Sequence, residues 1–290
     1  MGDLFKRIDW SSLDAAGKKA ALARPSRRTA GDVTEVVRTI LDDVRVRGGA
    51  AVADWCLKLD KAPPRRISIT PGAVAEARNA LPPGDVRALR MAADNIRVFH
   101  QATRPEDTPF VETTPGVRSK LAWRPIASAG LYVPGGTAPL FSSLLMLAIP
   151  AGVAGVAERI AVTPPDKEGG VHPAMILAAA EAGLDAIWLM GGAQAIAALT
   201  FGAELEDGVI PPCDKLFGPG NAYVAEAKKQ ASALPDGPAV DMPAGPSELM
   251  VIVDRDAAPE IVAADLLSQA EHDADAQVLL VSTSRATIDY

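Results

Sequence analysis

The segment 186-AIWLMGGAQAIAALTFG-202 decides the fold. It opens with a short apolar run containing Ile187 and Trp188, breaks at Gly191-Gly192, and continues as an Ala-rich helical stretch from Ala193 to Phe201. A strand that passes through a glycine turn straight into a helix is half of a βαβ unit, and such units build parallel sheets. The same pattern recurs on either side. Toward the amino end, 130-GLYVP leads to a helix from about Leu140, and 159-RIAVTPP to a helix from His172 to Gly183. Toward the carboxyl end, 214-DKLFG leads to a helix from Asn221 to Lys229. Then 248-ELMVIVD, the helix 257-AAPEIVAADLLSQAEHD and 277-QVLLVS give one further βαβ unit, and 285-RATIDY reads as the start of another helix.

Before Gly130 the pattern is mostly helical. Val33, Val36, Val37, Ile40, Leu41 and Val44 recur at helical spacing and stop at Gly48-Gly49. A second helix runs through 51-AVADWCLKLD, a third is opened by Thr70 as cap and Pro71 in the first turn, and a longer one spans about Asp85 to His100. The stretch 109-PFVETTPGVRSKLAWRP alternates and turns at Thr-Pro-Gly, as a hairpin does. The expected class is therefore α/β, with two Rossmann-like, incomplete parallel-sheet domains and an N-terminal helical arm. The arm is 1–25; the first domain is discontinuous, 26–129 plus 248–290; the second, nucleotide-binding in type, is 130–247. The sheet of the first domain is still being built at Tyr290, which predicts an open edge there.

Composition excludes several classes. Of 290 residues, 48% are hydrophobic and 22% charged, the balance of a folded globular chain. A net charge of −7, with 27-RR-28 and 65-RR-66 isolated, gives no basic footprint for nucleic acid. Two cysteines, Cys56 and Cys213, cannot form a disulfide framework and suit a reducing cytoplasm. The apolar stretch 144-LLMLAIPAGVAGVA-157 is too short and too broken to span a bilayer, and the first residues carry no signal-peptide core. The expectation is a cytoplasmic protein without membrane or nucleic-acid partners.

In open α/β sheets ligands bind where the carboxyl ends of the strands turn into helices. Three such turns are rich in Gly and Pro: 134-PGGTAP, 190-MGGAQA and 217-FGPGNA. Glycine lets the backbone approach a ligand, and the following helix N-terminus favours an anionic group. One such turn is ordinary punctuation, whereas three across one sheet point to a nucleotide site, although none is a G-x-G-x-x-G fingerprint. Beside them stand Tyr132, Gln194 and Asn221, whose bland roles are covering the sheet edge, a helix-end hydrogen bond and an N-cap. Ser247 lies in 241-DMPAGPSE, where a turn serine is the plain role. In 265-DLLSQAEHD-273, Gln269 and His272 are three apart and share a helix face, the spacing of two ligands of one metal; a histidine there can equally complement the helix dipole. Glu271 has no assigned role, and His100 and His172 have no ligand spacing to each other.

The stretches 130-GLYVPGGTAPLFSSLLMLAIPA, 191-GGAQAIAALTFG, 214-DKLFGPGNAYVAEAKKQ, 241-DMPAGPSE and 265-DLLSQAEHD, in this order, resemble histidinol dehydrogenase, and the resemblance runs from about Ile8 to Ser282. It implies a zinc-dependent, NAD-linked homodimeric enzyme of histidine biosynthesis that oxidises L-histidinol to L-histidine through the aldehyde L-histidinal. Tyr132, Gln194 and Asn221 match positions that contact NAD, Ser247 a position that contacts substrate, and Gln269 and His272 two Zn2+ ligands that also face the substrate. The family's Glu-His pair for proton transfer, and the Asp and further His of its zinc shell, fall beyond Tyr290, so no catalytic acid or base is expected within this sequence. The resemblance thus implies a chain truncated at the carboxyl end. The alternatives are an inactive truncated remnant that binds nucleotide or pairs with a full-length subunit, and a relative acting on another polar alcohol. A thiol route is not expected: Cys56 lies on a core-facing helix side and Cys213 outside the matching motifs.

Overall fold

In the computed structural model the described residues are 6–23, 30–135, 140–242, 248–270 and 276–289. They divide into two compact units, Gly31–Ala244 and Met1–Ala30 with Gly245–Tyr290.

The larger unit begins with helices α2 (Ala30–Arg47) and α3 (Gly49–Leu59), after the short α1 (Ala15–Ala21) of the other unit. Next come β1 (Arg65–Ser68), α4 (Pro71–Asn79), α5 (Pro83–Ala102) and the hairpin β2 (Val111–Thr114) and β3 (Val117–Ser119). Then strands and helices alternate: β4 (Ser128–Tyr132), α6 (Phe141–Ala154), β5 (Glu158–Thr163), α7 (Pro173–Glu181), β6 (Ala186–Leu189) and α8 (Gly192–Phe201). A small hairpin, β7 (Ala203–Leu205) and β8 (Gly208–Ile210), precedes β9 (Lys215–Phe217), α9 (Ala222–Ser232) and β10 (Ala239–Val240). The expected elements are present with small shifts at their ends. Thr70 caps α4 as anticipated, its Oγ1 accepting the Ala73 N–H at 3.2 Å.

The main sheet runs β1-β6-β5-β4-β9-β10, parallel except for β1, which pairs antiparallel with β6. The strands send alternate side chains to opposite faces. Ile160, Val162 and Trp188 join a core with Val37, Ile40 and Val44 of α2, Val52 of α3, and helices α8 and α9. Ala161, Ile187 and Leu189 join the core on the other face, with α4, α5, α6 and α7. β4 lies at the centre, buried along its whole length. Helices therefore cover both faces of one sheet, an α/β arrangement of the doubly wound kind.

In the smaller unit β11 (Glu248–Val253) and β12 (Gln277–Ser282) pair in parallel, connected through α10 (Pro259–Ala270), and α11 (Arg285–Asp289) follows. Arg7 Nη1 donates to Asp289 Oδ1 at 2.6 Å, joining the two ends of this unit. Among the described residues no helix is long and apolar enough to cross a membrane.

Candidate functional site

The strand order itself locates a crevice. From β4 the chain steps outward to β5 and β6, then returns to the other side of β4 for β9 and β10. The reversal falls between β4 and β9, and the space outside their carboxyl ends is where such sheets take ligands. Tyr132 and Val133 form one side, and Phe217 to Asn221 the other. The two chains approach so closely that a Cβ on Gly218, whose φ is +114°, would lie 2.0 Å from the Tyr132 carbonyl oxygen. Residues 136–139 of the first turn lie outside the described residues.

Asn221 sits at the N-cap of α9, its Oδ1 accepting the N–H groups of Tyr223 at 3.1 Å and Val224 at 3.2 Å. The plain capping role is real, and it leaves the Nδ2 amide of this exposed residue as the end that can donate to a ligand. The free N–H groups and positive end of α9 face the same turn and favour an anion.

Tyr132 is 3% exposed. Its hydroxyl accepts the Gly192 N–H at 3.2 Å, which joins the β4 end to the β6–α8 turn. Burial pushes the phenol up to about 12, against the pull of the Gly192 N–H, so it stays protonated and its own proton is available to donate.

Gln194, in the first turn of α8, is fully buried. Its Nε2 donates to Asp60 Oδ2 at 3.0 Å, and the same carboxylate oxygen accepts the Gly191 N–H at 3.0 Å. Its Oε1 is buried without a hydrogen-bond partner among the described residues. Such an acceptor is costly to leave empty, and an incoming donor would satisfy it.

Three side chains of this region were not singled out from the sequence. Asp60, just past α3, holds the β6–α8 turn and Gln194 from 131 and 134 residues away, so no local pattern could announce it. Lys228 is 3% exposed on the inner stripe of α9 with Val224, Ala227 and Ala231; a lysine at that helical spacing among apolar residues was a readable sign of a buried, partnered charge. Its Nζ donates to the Gly218 carbonyl at 2.8 Å and to Asp241 Oδ1. Asp241 Oδ2 in turn accepts the Gly218 N–H at 2.8 Å. Burial works to raise the Asp241 carboxyl, but the hydrogen bonds from Lys228, Gly218 and Met242 together hold it below its ordinary value.

Of the residues expected to hold metal and substrate, Gln269 lies in the last turn of α10, while Ser247 and His272 lie outside the described residues, as does Glu271, which has no assigned role. Gln269 Nε2 is buried and has no hydrogen-bond partner among the described residues. A half-turn of the carboxamide exchanges nitrogen and oxygen at that position, so the side chain can offer an oxygen ligand there. An amide oxygen and an imidazole are chemically fit as two ligands of a zinc ion, and a catalytic zinc takes three or more from protein. Among the described residues no His, Cys, Asp and Glu cluster of three or more could hold a metal.

The other expected bystanders behave as such. His172 caps α7, its Nδ1 accepting the Ala174 N–H at 3.2 Å. Cys56 and Cys213 are buried, and burial pushes both thiols well up, Cys213 to about 12, which disfavours the thiolate form. A cavity of about 160 Å³ lined by Arg66, Glu158, Arg159 and Asp185 lies at the opposite rim, where β5 and β6 begin.

The family described as histidinol dehydrogenase matches residues 22–290. A histidinol dehydrogenase of Xanthomonas euvesicatoria pv. vesicatoria is 46% identical over 285 residues, covering 98% of this chain and 65% of the relative. That of Escherichia coli K12 is 45% identical over 277 residues, covering 95% and 61%. A crystal structure of histidinol dehydrogenase from Elizabethkingia anophelis superposes with a TM-score of 0.84 at 41% identity, covering 96% of this chain and 62% of that one. The chain thus spans somewhat under two thirds of the length of these relatives. It belongs to the histidinol dehydrogenase family.

Proposed function

We propose that this chain carries the nucleotide-binding crevice of an NAD-linked, zinc-dependent dehydrogenase that oxidises L-histidinol to L-histidine through L-histidinal. The observation that carries the reading is the strand order β6-β5-β4-β9-β10, whose reversal lies between Tyr132 and Gly218 beside the N-terminus of α9. Bound NAD would supply a hydride acceptor, and bound zinc a Lewis acid that lowers the cost of charge on the substrate oxygen.

The chain's own residues have separable tasks in this reading. The α9 N-terminus receives the pyrophosphate, and Asn221 donates from Nδ2 while its Oδ1 keeps the helix start in place. The unpartnered Oε1 of Gln194 takes a donor from the nucleotide, and Tyr132 closes the floor of the crevice with its neutral hydroxyl. Gln269 and His272 supply two zinc ligands, and Ser247 orients the substrate. Proton transfer would fall to the Glu-His pair that the family resemblance places after Tyr290. A homodimer in the cytoplasm, where two buried free thiols are at home, belongs to the same proposal.

Calorimetric titration of the purified chain with NAD tests the reading at its base, and zinc content and NADH formation from L-histidinol and other polar alcohols test the rest. Saturable NAD binding that weakens on removing the Asn221 side chain is the expected result. No NAD binding overturns the reading. Bound zinc with NADH formed from another alcohol in preference to histidinol overturns the substrate.

A further inference from the structure

The ion pair between the buried Lys228 and Asp241, whose side chain is 27% exposed, lies beside the crevice but touches no position assigned to a ligand. It joins three separate pieces of chain: the middle of α9, the 218-GPGN turn after β9, and the segment that leaves β10. Both polar groups of Gly218 are taken up by it, the N–H by Asp241 Oδ2 and the carbonyl by Lys228 Nζ, each at 2.8 Å. Gly218 has φ +114° and no room for a Cβ, and with no side chain of its own its peptide groups take their directions in part from the partners on either side. A lysine in an apolar helix stripe is an expensive way to gain stability, since a well-packed apolar pair of similar volume often serves as well or better. What an apolar pair cannot do is hold a donor and an acceptor of one residue in fixed directions.

We propose that Lys228 and Asp241 are a positioning pair for the nucleotide: by fixing both peptide groups of Gly218 they hold the 218-GPGN turn, and with it the Asn221 cap, in the shape that receives the cofactor. The functional half of this inference rests on the nucleotide reading given above; the structural half does not. The pair acts through Gly218 and makes no contact with the reacting atoms.

Two substitutions separate positioning from simple stability. Asp241→Asn keeps the shape but removes the charge, and the double substitution Lys228→Met with Asp241→Asn leaves no unpaired buried charge, so it folds even where the single one does not. Two quantities are read on the full chain. One is amide exchange of residues 217–222 without ligand, against that of β5 and β6. The other is the Kd for NAD by calorimetry, with the melting temperature as the control for folding. The expected result is exchange at 217–222 faster by about tenfold or more in the folded double variant, with β5 and β6 unchanged. NAD binding is expected to weaken by about tenfold or more, the scale of losing one charge-assisted hydrogen bond. Unchanged exchange at 217–222 overturns the inference alone. Faster exchange with wild-type NAD affinity shows the pair to be structural only and overturns its functional half. A wild-type chain that binds no NAD fails the nucleotide reading and that half with it, while the exchange comparison still judges the clamp.

Discussion

Gln194 Nε2 reaches Asp60 Oδ2 at 3.0 Å across 134 residues of sequence. The contact ties the end of α3 to the first turn of α8, and the same oxygen takes the Gly191 N–H. One partly buried carboxylate therefore shapes the β6–α8 turn and aims the amide expected to meet the nucleotide.

Replacing Asp60 by Ala leaves the Gln194 amide buried with neither end partnered. A stability loss of about 1–3 kcal/mol follows, with weaker NAD binding. Asp60→Asn, whose amide oxygen can still accept both N–H groups but without the charge, loses less. Denaturant unfolding and NAD titration of both variants check the order.

Asn221 combines a cap with an expected ligand contact, and two substitutions pull these apart. Asn221→Ala loses the cap, about 1 kcal/mol, along with NAD affinity. Asn221→Asp keeps a good cap at the positive helix end, so the melting temperature holds, while its negative charge repels a pyrophosphate and NAD binding falls. Equal NAD affinity in wild type and Asn221→Asp would remove this residue from the cofactor site.

Gly218→Ala forces a Cβ against the Tyr132 carbonyl oxygen at a φ that suits only glycine. The expected loss is about 3 kcal/mol or more, combining backbone strain with a steric overlap. Gly116, in the β2–β3 turn at φ +84°, has nothing within 4 Å of a built Cβ. Gly116→Ala should therefore cost only about 1 kcal/mol, the conformational part by itself. Melting temperatures of the two variants make the comparison.

The pH dependence of stability follows from the direction of two shifts. Asp241 has a folded-state value below its ordinary 3.8, so its contribution is fully present above that value and is lost as the pH falls through the lower, folded one. Asp241→Asn should flatten this acid limb. Tyr132 has a folded-state value raised from 10.0 to about 12, so its contribution is intact below 10.0 and is lost as the pH rises toward the higher value. Tyr132→Phe should flatten that alkaline limb. Unfolding free energies measured across both ranges decide.

Much of the fold was legible because parallel strands buried on both faces are nearly continuous apolar runs, and the glycine turns after them mark where helices begin. Strand β1 was not: Arg65-Arg66-Ile67-Ser68 reads as surface charge because it lies at the sheet edge, paired through backbone to β6 alone. The β7–β8 hairpin carried a signal, Asp207-Gly208 between short apolar runs, that the helix-strand alternation overshadowed. At two residues β10 is too short for any period. In the site, turn glycines led to Tyr132, Gln194 and Asn221, but nothing local could reveal that Gln194 is fully buried on Asp60. Long-range partners such as this one exist only once the sheet has brought them together.

The central claim is that NAD occupies the crevice between the ends of β4 and β9. Amide exchange of the chain with and without saturating NAD tests it most directly. The account predicts added protection at 131–135 and 217–224, with the cavity lined by Arg66, Glu158 and Asp185 unaffected. Protection confined to that opposite rim, or none at either strand end, would contradict it.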